Sequence, residues 1–178
     1  LDRVAIVEGP PTFNNPECFD SRTRGWYSPN GVWEIGQPQG GPNADYDGSR
    51  CAGTDMDNYY PYGASARLIT APMTLPASAQ LRFFHWYSFA GGDYGRVQIS
   101  VSDGAWQNLA GPFINQSGTW SQYIASLAAY AGQSVRFAFL LQDNSDGAQD
   151  WGWYIDCFRI QGMSEIQPSA PVFTSVDY

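Results

Sequence analysis

Apolar and polar residues alternate without a break in Gly95-Arg-Val-Gln-Ile-Ser-Val101. Val97, Ile99 and Val101 point one way, and Arg96, Gln98 and Ser100 the other. A period of two predicts a strand with one buried face. The turn Ser102-Asp-Gly104 then leads to a hairpin partner, Ala105–Leu109. Ser134–Leu141 repeats the pattern, with Val135, Phe137, Phe139 and Leu141 on one face, while Leu81–Phe89 is apolar on both faces and predicts a central strand. Shorter strands are expected at Val4–Val7, Gly25–Trp26, Val32–Gly36, Ala66–Thr70 and Trp120–Ile124, and Ser126–Gly132 fits one helical turn closed by Gly132. Trp151–Ile160 predicts the last strand, with Tyr154, Phe158 and Ile160 on one face, Asp156 among them, and Cys157 opposite.

About ten short strands with no helix over two turns predict an all-β, two-sheet antiparallel sandwich. It is expected over residues 18–162, after an arm or linker (1–17) and before a linker or packed-back tail (163–178) that contains Gln167-Pro-Ser-Ala-Pro171. One long polar stretch, residues 37–64, interrupts the strands. A loop of that length in a compact domain is usually functional or pinned by a ligand.

Composition narrows the chemistry. The 178 residues carry a net charge of −8 and no basic stripe, which excludes a binder of the nucleic-acid backbone. All nine cations are Arg, so Schiff-base and P-loop lysine chemistry are excluded. The single histidine, His85, lies mid-strand between Phe84 and Trp86 and is expected to be a core or groove residue. Zinc sites built on several histidines are excluded, and Cys18, Cys51 and Cys157 lack any CxxC spacing. No run approaches the roughly 20 apolar residues of a membrane span. Because Leu1 is not an initiator Met, the chain is expected to be a piece of something longer.

Several segments, in order over residues 19–161, resemble one group. They are Gly25-Trp26, Trp33-Glu-Ile-Gly36 with Gly41-Pro42, Gly48, Cys51-Ala-Gly-Thr54, Asn58-Tyr59, Leu68-Ile69 with Ala71-Pro72, Leu81–Tyr87, Asp93–Ser100, Tyr130-Ala-Gly-Gln133 and Gly152-Trp-Tyr-Ile-Asp156. The set is similar to the MAM-like and cleaved-adhesin-like jelly-roll modules of bacterial secreted and surface proteins. That resemblance implies a jelly roll, a role in adhesion, carbohydrate binding or spacing beside other domains, and often a bound calcium. Two positions depart from the pattern: Phe19-Asp20 stands where Phe-Glu is usual, and Cys157 where a second acid follows Asp156.

The resemblance further implies that the first and last strands lie side by side, which would bring Asp20 near Asp156 in a structural calcium site capped by Asp45 and Asp47; the alternative is that Asp156 pairs with an Arg or takes backbone amides. Asp143, Asp146 and Asp150 fit a solvated loop. A Cys18–Cys157 disulfide would staple the N-terminal arm to the closing strand, as suits an exported protein; the alternative is three buried thiols.

Aromatic rings in loops are the candidates for stacking on sugars: Tyr59, Tyr60, Tyr62, Tyr94 and Trp151, with Asn58 for hydroxyl groups, and Tyr46 also in a loop. Trp26, Trp33, Trp106, Trp120 and Trp153 are expected in the core. The resulting expectation is a non-catalytic, calcium-stabilised module of an extracellular or cell-surface bacterial multidomain protein. Its partners would be a polysaccharide or cell-surface glycan and neighbouring domains. The alternative is a structural spacer of an adhesin, or an accessory domain of a secreted protease or glycosidase.

Overall fold

The computed structural model describes residues 11–12, 14–21 and 24–162. The expected strand at Val4–Val7 and the expected tail from Val172 lie outside these residues. Ten strands follow in chain order: β1 (Glu34–Gly36), β2 (Cys51–Gly53), β3 (Ser65–Ile69), β4 (Met73–Thr74), β5 (Gln80–Ser88), β6 (Tyr94–Val101), β7 (Gln107–Phe113), β8 (Ser121–Ser126), β9 (Ser134–Gln142) and β10 (Gly152–Gln161). The helical turn is present as a single 3-10 turn, Ala128–Tyr130, with Gly132 in the left-handed region just beyond it.

The strands form two antiparallel sheets, ordered β1-β2-β10-β5-β8 and β3-β9-β6-β7, with β4 pairing to β9. This is the expected jelly-roll sandwich. β5 is interior to its sheet, between β10 and β8. Between the sheets lies one core, in which Phe83, Val97, Ile99, Phe137, Phe139, Trp153, Ile155 and Phe158 are all inaccessible to solvent. Trp153 sits at its centre, with the rings of Trp33, Phe89, Phe113 and Phe139 within 5.4–6.3 Å. Trp26 and Trp33 are in the core as expected. Trp106 and Trp120 are only half-buried: each lies in the connection just before a strand, β7 or β8, and not on the inner face of a sheet.

The facing of β10 differs from expectation. Tyr154 and Asp156 point out of the sandwich, where Tyr154 packs with Cys51 and Met56, whereas Phe158 and Ile160 point into the core. The cause is a bulge: pairing with β5 shifts register between Asp156 and Arg159, and Cys157 has a φ of 46°. One extra residue reverses the parity of everything after it.

The N-terminal stretch runs along the same strand. Glu17 and Phe158 exchange backbone hydrogen bonds of 2.8 and 2.9 Å. Cys18 and Cys157 form a disulfide across 139 positions of sequence. Phe19 is buried beside it, edge-on to Trp26 at 5.2 Å. At the start of β10, Gly152 has a φ of 84°, and a Cβ there would strike the Thr54 hydroxyl. That hydroxyl accepts the Trp153 N–H at 2.9 Å, so only glycine allows the chain to enter the strand this way.

Candidate functional site

Strand register gathers four loops at one end of the sandwich. Ser65 and Tyr94 both pair with Gln142, Gly152 pairs with Ser88, and Gly95 pairs with Phe113. The connections 54–64, 89–93, 114–120 and 143–151 therefore share a rim. Asp side chains tie this rim down. Asp143 accepts the N–H groups of Gly63 and Ser145, and Asp93 accepts the Tyr60 hydroxyl at 2.5 Å and the Asn144 N–H at 2.8 Å. Asp150 accepts the Ser88 hydroxyl at 2.7 Å and the Trp151 N–H at 2.8 Å, and Asp55 accepts the Asp57 and Asn58 N–H groups. Such Asx-type bonds give irregular backbone the partners that a ladder would supply.

The rim presents two of the expected aromatics as a pair. Tyr59, 48% exposed, stands edge-on to the half-buried Trp151 at 5.0 Å. Trp151 packs over Gly40, where any Cβ would run into its ring. Tyr62, 61% exposed, donates its hydroxyl to the Ser145 carbonyl at 3.0 Å. Asn58 is exposed, and its side-chain oxygen accepts the Tyr59 N–H at 2.9 Å.

Two members of the expected set are elsewhere. Tyr60 is fully buried; its hydroxyl donates to Asp93 and accepts the Ala90 N–H, and burial raises its phenol well above the usual range, so it braces the rim and presents no ring. Tyr94 opens β6 on the other sheet, under the Arg96 guanidinium at 4.8 Å. Tyr46 lies against the outer face of the first sheet, stacked on Phe84 at 3.5 Å and near Trp120.

The four acids of the expected calcium set gather around the 44–49 loop. Asp156 is fully buried and accepts the N–H groups of Tyr46 (3.0 Å), Asp47 (3.1 Å) and Cys157 (2.7 Å). Burial raises its carboxyl to about 7; the three N–H donors act against that rise, and nearby Asp45 adds to it. Asp20 accepts the N–H and hydroxyl of Ser49 and lies against Gly48, where a Cβ would strike its carboxylate. Among the described residues, the only three His, Cys, Asp or Glu side chains whose donor atoms all lie within 4.8 Å of one another are Cys18, Asp47 and Cys157, and the two sulfurs are tied in the disulfide. The charge of this region suits a cation. The donor directions do not, since the loop turns N–H groups rather than carbonyls toward Asp156 and Asp20.

His85 is buried and accepts the Trp153 indole N–H at 3.4 Å; burial lowers its imidazole to about 4, so it is neutral at physiological pH. Cys51 is a buried free thiol.

No protein-family model matches the chain. Among curated proteins it is similar to bacillopeptidase F of Bacillus subtilis (strain 168), at 31% identity over 143 residues. That match covers 78% of this chain and 10% of the peptidase, so the chain spans about a tenth of that relative's length. Among solved structures, the K3 cleaved adhesin domain of Lys-gingipain from Porphyromonas gingivalis W83 superposes with a TM-score of 0.55 at 20% identity, covering 83% of this chain and 96% of that one. The module TmCBM61, solved with β-1,4-galactotriose, gives 0.53 at 14% identity, covering 84% and 93%. The chain shares the β-sandwich fold of these two domains. Expectation and structure agree on the disulfide, and the structure brings two of the candidate ring residues, Tyr59 and Trp151, together on the rim. Expectation and structure part over Tyr60, because nothing local distinguishes a buried loop tyrosine from an exposed one. Sequence reading missed the arginine row Arg67–Arg96 on the second sheet, although the outward position of Arg96 and Gln98 was visible in the alternation of β6.

Proposed function

We propose that the domain is a non-catalytic module that binds carbohydrate or a glycan-bearing cell surface within a larger extracellular bacterial protein. The observation that carries this reading is the Tyr59–Trp151 pair, held on a loop rim fixed by aspartates rather than buried in the core. Aromatic faces on a rigid rim stack on the C–H faces of sugar rings, and Asn58 beside them offers amide hydrogen bonds. The galactotriose bound by TmCBM61 is in keeping with a glycan ligand on this fold. The finer MAM-like likeness rests on the sequence segments alone. A disulfide fits the extracellular placement. Among the described residues no helix is long and apolar enough to cross a membrane.

The test is isothermal titration of the 178-residue chain against a panel of polysaccharides. Binding that weakens at least tenfold in Tyr59→Ala and Trp151→Ala supports the reading. No heat with any glycan, or affinity unchanged in both variants, refutes it.

A second reading has its own support in the resemblance to part of bacillopeptidase F. In it, the module is an accessory or spacer domain of a secreted peptidase. Full-length protein with and without this segment would then differ in stability or cleavage pattern, while glycan binding stayed absent.

Calcium stabilisation is proposed alongside either function. Asp20, Asp45, Asp47 and Asp156 supply the charge, and an ion would require the 44–49 loop to turn its amides away. Selective binding to the native state would raise the melting temperature by mass action. A rise of several degrees with millimolar calcium over chelator supports it, and superimposable melts refute it.

A further inference from the structure

The second sheet is electrically unlike the rest of the molecule. Its five strands contain three arginines (Arg67, Arg96 and Arg136) and no Asp or Glu, in a chain with 17 acids and nine cations. Topology brings the arginines to one outer face. Arg67 on β3 and Arg96 on β6 both pair with Leu140 on β9 between them, which sets the two guanidinium groups in one row across three strands. Ile69, Ala138 and Leu140, the outward apolar residues of β3 and β9, are buried under this layer.

The arginines are held in place. Arg67 Nε donates to Gln98 Oε1 at 2.8 Å, and Gln98 Nε2 donates to Asn108 Oδ1 at 3.0 Å. The Arg67 guanidinium lies 5.9 Å from the centre of the Trp106 ring, and that of Arg96 lies 4.8 Å from the centre of Tyr94. Arg136 is spoken for, paired with Asp103 at 3.1 Å and donating to the Tyr27 hydroxyl at 3.2 Å. Neither Arg67 nor Arg96 has an acid in ion-pair reach among the described residues, and Arg96 Nε is buried without an acceptor. A stacked guanidinium keeps its edge N–H groups free for bidentate contact with a carboxylate, at little further loss of side-chain freedom.

From this geometry we propose that the outer face of the second sheet binds a polyuronate, a polysaccharide carrying a carboxylate on its sugar rings. Arg67 and Arg96 take the carboxylates, Tyr94 and Trp106 supply flat apolar surface, and Asn108 reaches hydroxyls. A polyuronate is favoured over nucleic acid because it carries one carboxylate per sugar ring, a sparser charge than the one per about 1.7 Å of duplex DNA, and so is repelled less by a chain of net charge −8. The inference rests on the glycan-binding reading above and assigns it a second surface and a charged ligand class.

The experiment titrates the 178-residue chain with polygalacturonate, with the same polymer methyl-esterified, and with neutral β-1,4-galactan. Expected are binding of polygalacturonate, at least a tenfold loss on esterification, a similar loss in Arg67→Gln/Arg96→Gln, and less than a twofold change in Arg50→Gln. Arg50→Gln makes the same charge change as the single variant Arg96→Gln, at a residue just before β2 of the other sheet that is bonded to the Ile35 carbonyl. The single variant Arg96→Gln, which leaves the Arg67–Gln98 bond intact, carries the test if the double variant folds poorly. Equal binding of the acid and its ester overturns the proposal, as does equal retention on phosphocellulose, which marks a non-selective cationic patch. Binding of galactan without polygalacturonate overturns it while leaving the glycan-binding reading standing. Failure of every glycan sinks both.

Discussion

Removing the Cys18–Cys157 bridge gives a quantitative test of how the N-terminal stretch is held. The bridge closes a loop of 139 residues. In the chain-entropy treatment, a loop of that size restricts the unfolded ensemble by about 5 kcal/mol at 25 °C. For a domain of 150–250 residues, 1 kcal/mol moves the melting temperature by roughly 2–4 °C, so the expected fall is about 10–20 °C. Part of that can be softened by local release. Without the bridge, the stretch around residues 17–19 is kept on β10 by the paired hydrogen bonds between Glu17 and Phe158 and by burial of Phe19, the latter worth about 1.5–3 kcal/mol. The assay compares thermal melts of the oxidised chain, the reduced chain and Cys18→Ala/Cys157→Ala, followed by far-ultraviolet circular dichroism and tryptophan fluorescence. Phe19 packs against Trp26, so release of the stretch alone would alter fluorescence before the sheets melt. A shift below about 3 °C in both the reduced and the double-alanine proteins would refute the reasoning. Thiol titration gives an independent check. Burial raises the Cys51 thiol far above its usual range, so native protein should show no reactive thiol and unfolded protein only one.

Two further predictions concern buried groups and close contacts. Asp156 has its carboxyl raised from 3.8 to about 7, so it destabilises the fold progressively as pH rises from 4 to 7, by at most about 4 kcal/mol. His85, lowered from 6.5 to about 4, does the opposite: its contribution is complete above pH 6.5 and is lost as pH falls toward 4. Chelated wild-type protein should therefore melt at a nearly level temperature between pH 4 and 6.5, whereas Asp156→Asn should climb through that window; parallel profiles would contradict this account. Gly40→Ala should push the Trp151 ring off its seat, cost about 1–3 kcal/mol, and weaken glycan binding at the rim more than Asp57→Ala, a substitution on an exposed side chain nearby. Unchanged melting and binding would show that Trp151 is not seated there.

The sandwich was legible because its strands announce themselves. β6 alternates without error, β9 carries four apolar residues in phase, and Ser102-Asp-Gly104 marks the hairpin. β2 and β4 were not legible, since three and two residues are too short to display any period. The facing of β10 was misjudged because the bulge at Cys157 adds a residue without a glycine or proline to signal it. Site residues were harder. Tyr59 and Tyr60 are neighbours of one type in one loop, and what separates them is Asp93, 33 positions away, which captures the Tyr60 hydroxyl. The arginine row could not be assembled without the order β3-β9-β6, because Arg67 and Arg96 lie 29 positions apart and meet only across Leu140.

The disulfide also decides how the module responds to being pulled. Tension entering through the N-terminal end of the chain and leaving beyond Gln161 meets the Cys18–Cys157 bond, whose two Cα atoms are 4.0 Å apart, before it reaches any other strand. The covalent link then bears the load, and the stretch of chain between the two cysteines, about 470 Å if drawn straight, stays out of the force path. In a longer polypeptide such a domain would behave as an inextensible bead. Under reducing conditions it would become a spring with a large hidden length, a difference that single-molecule stretching reads directly.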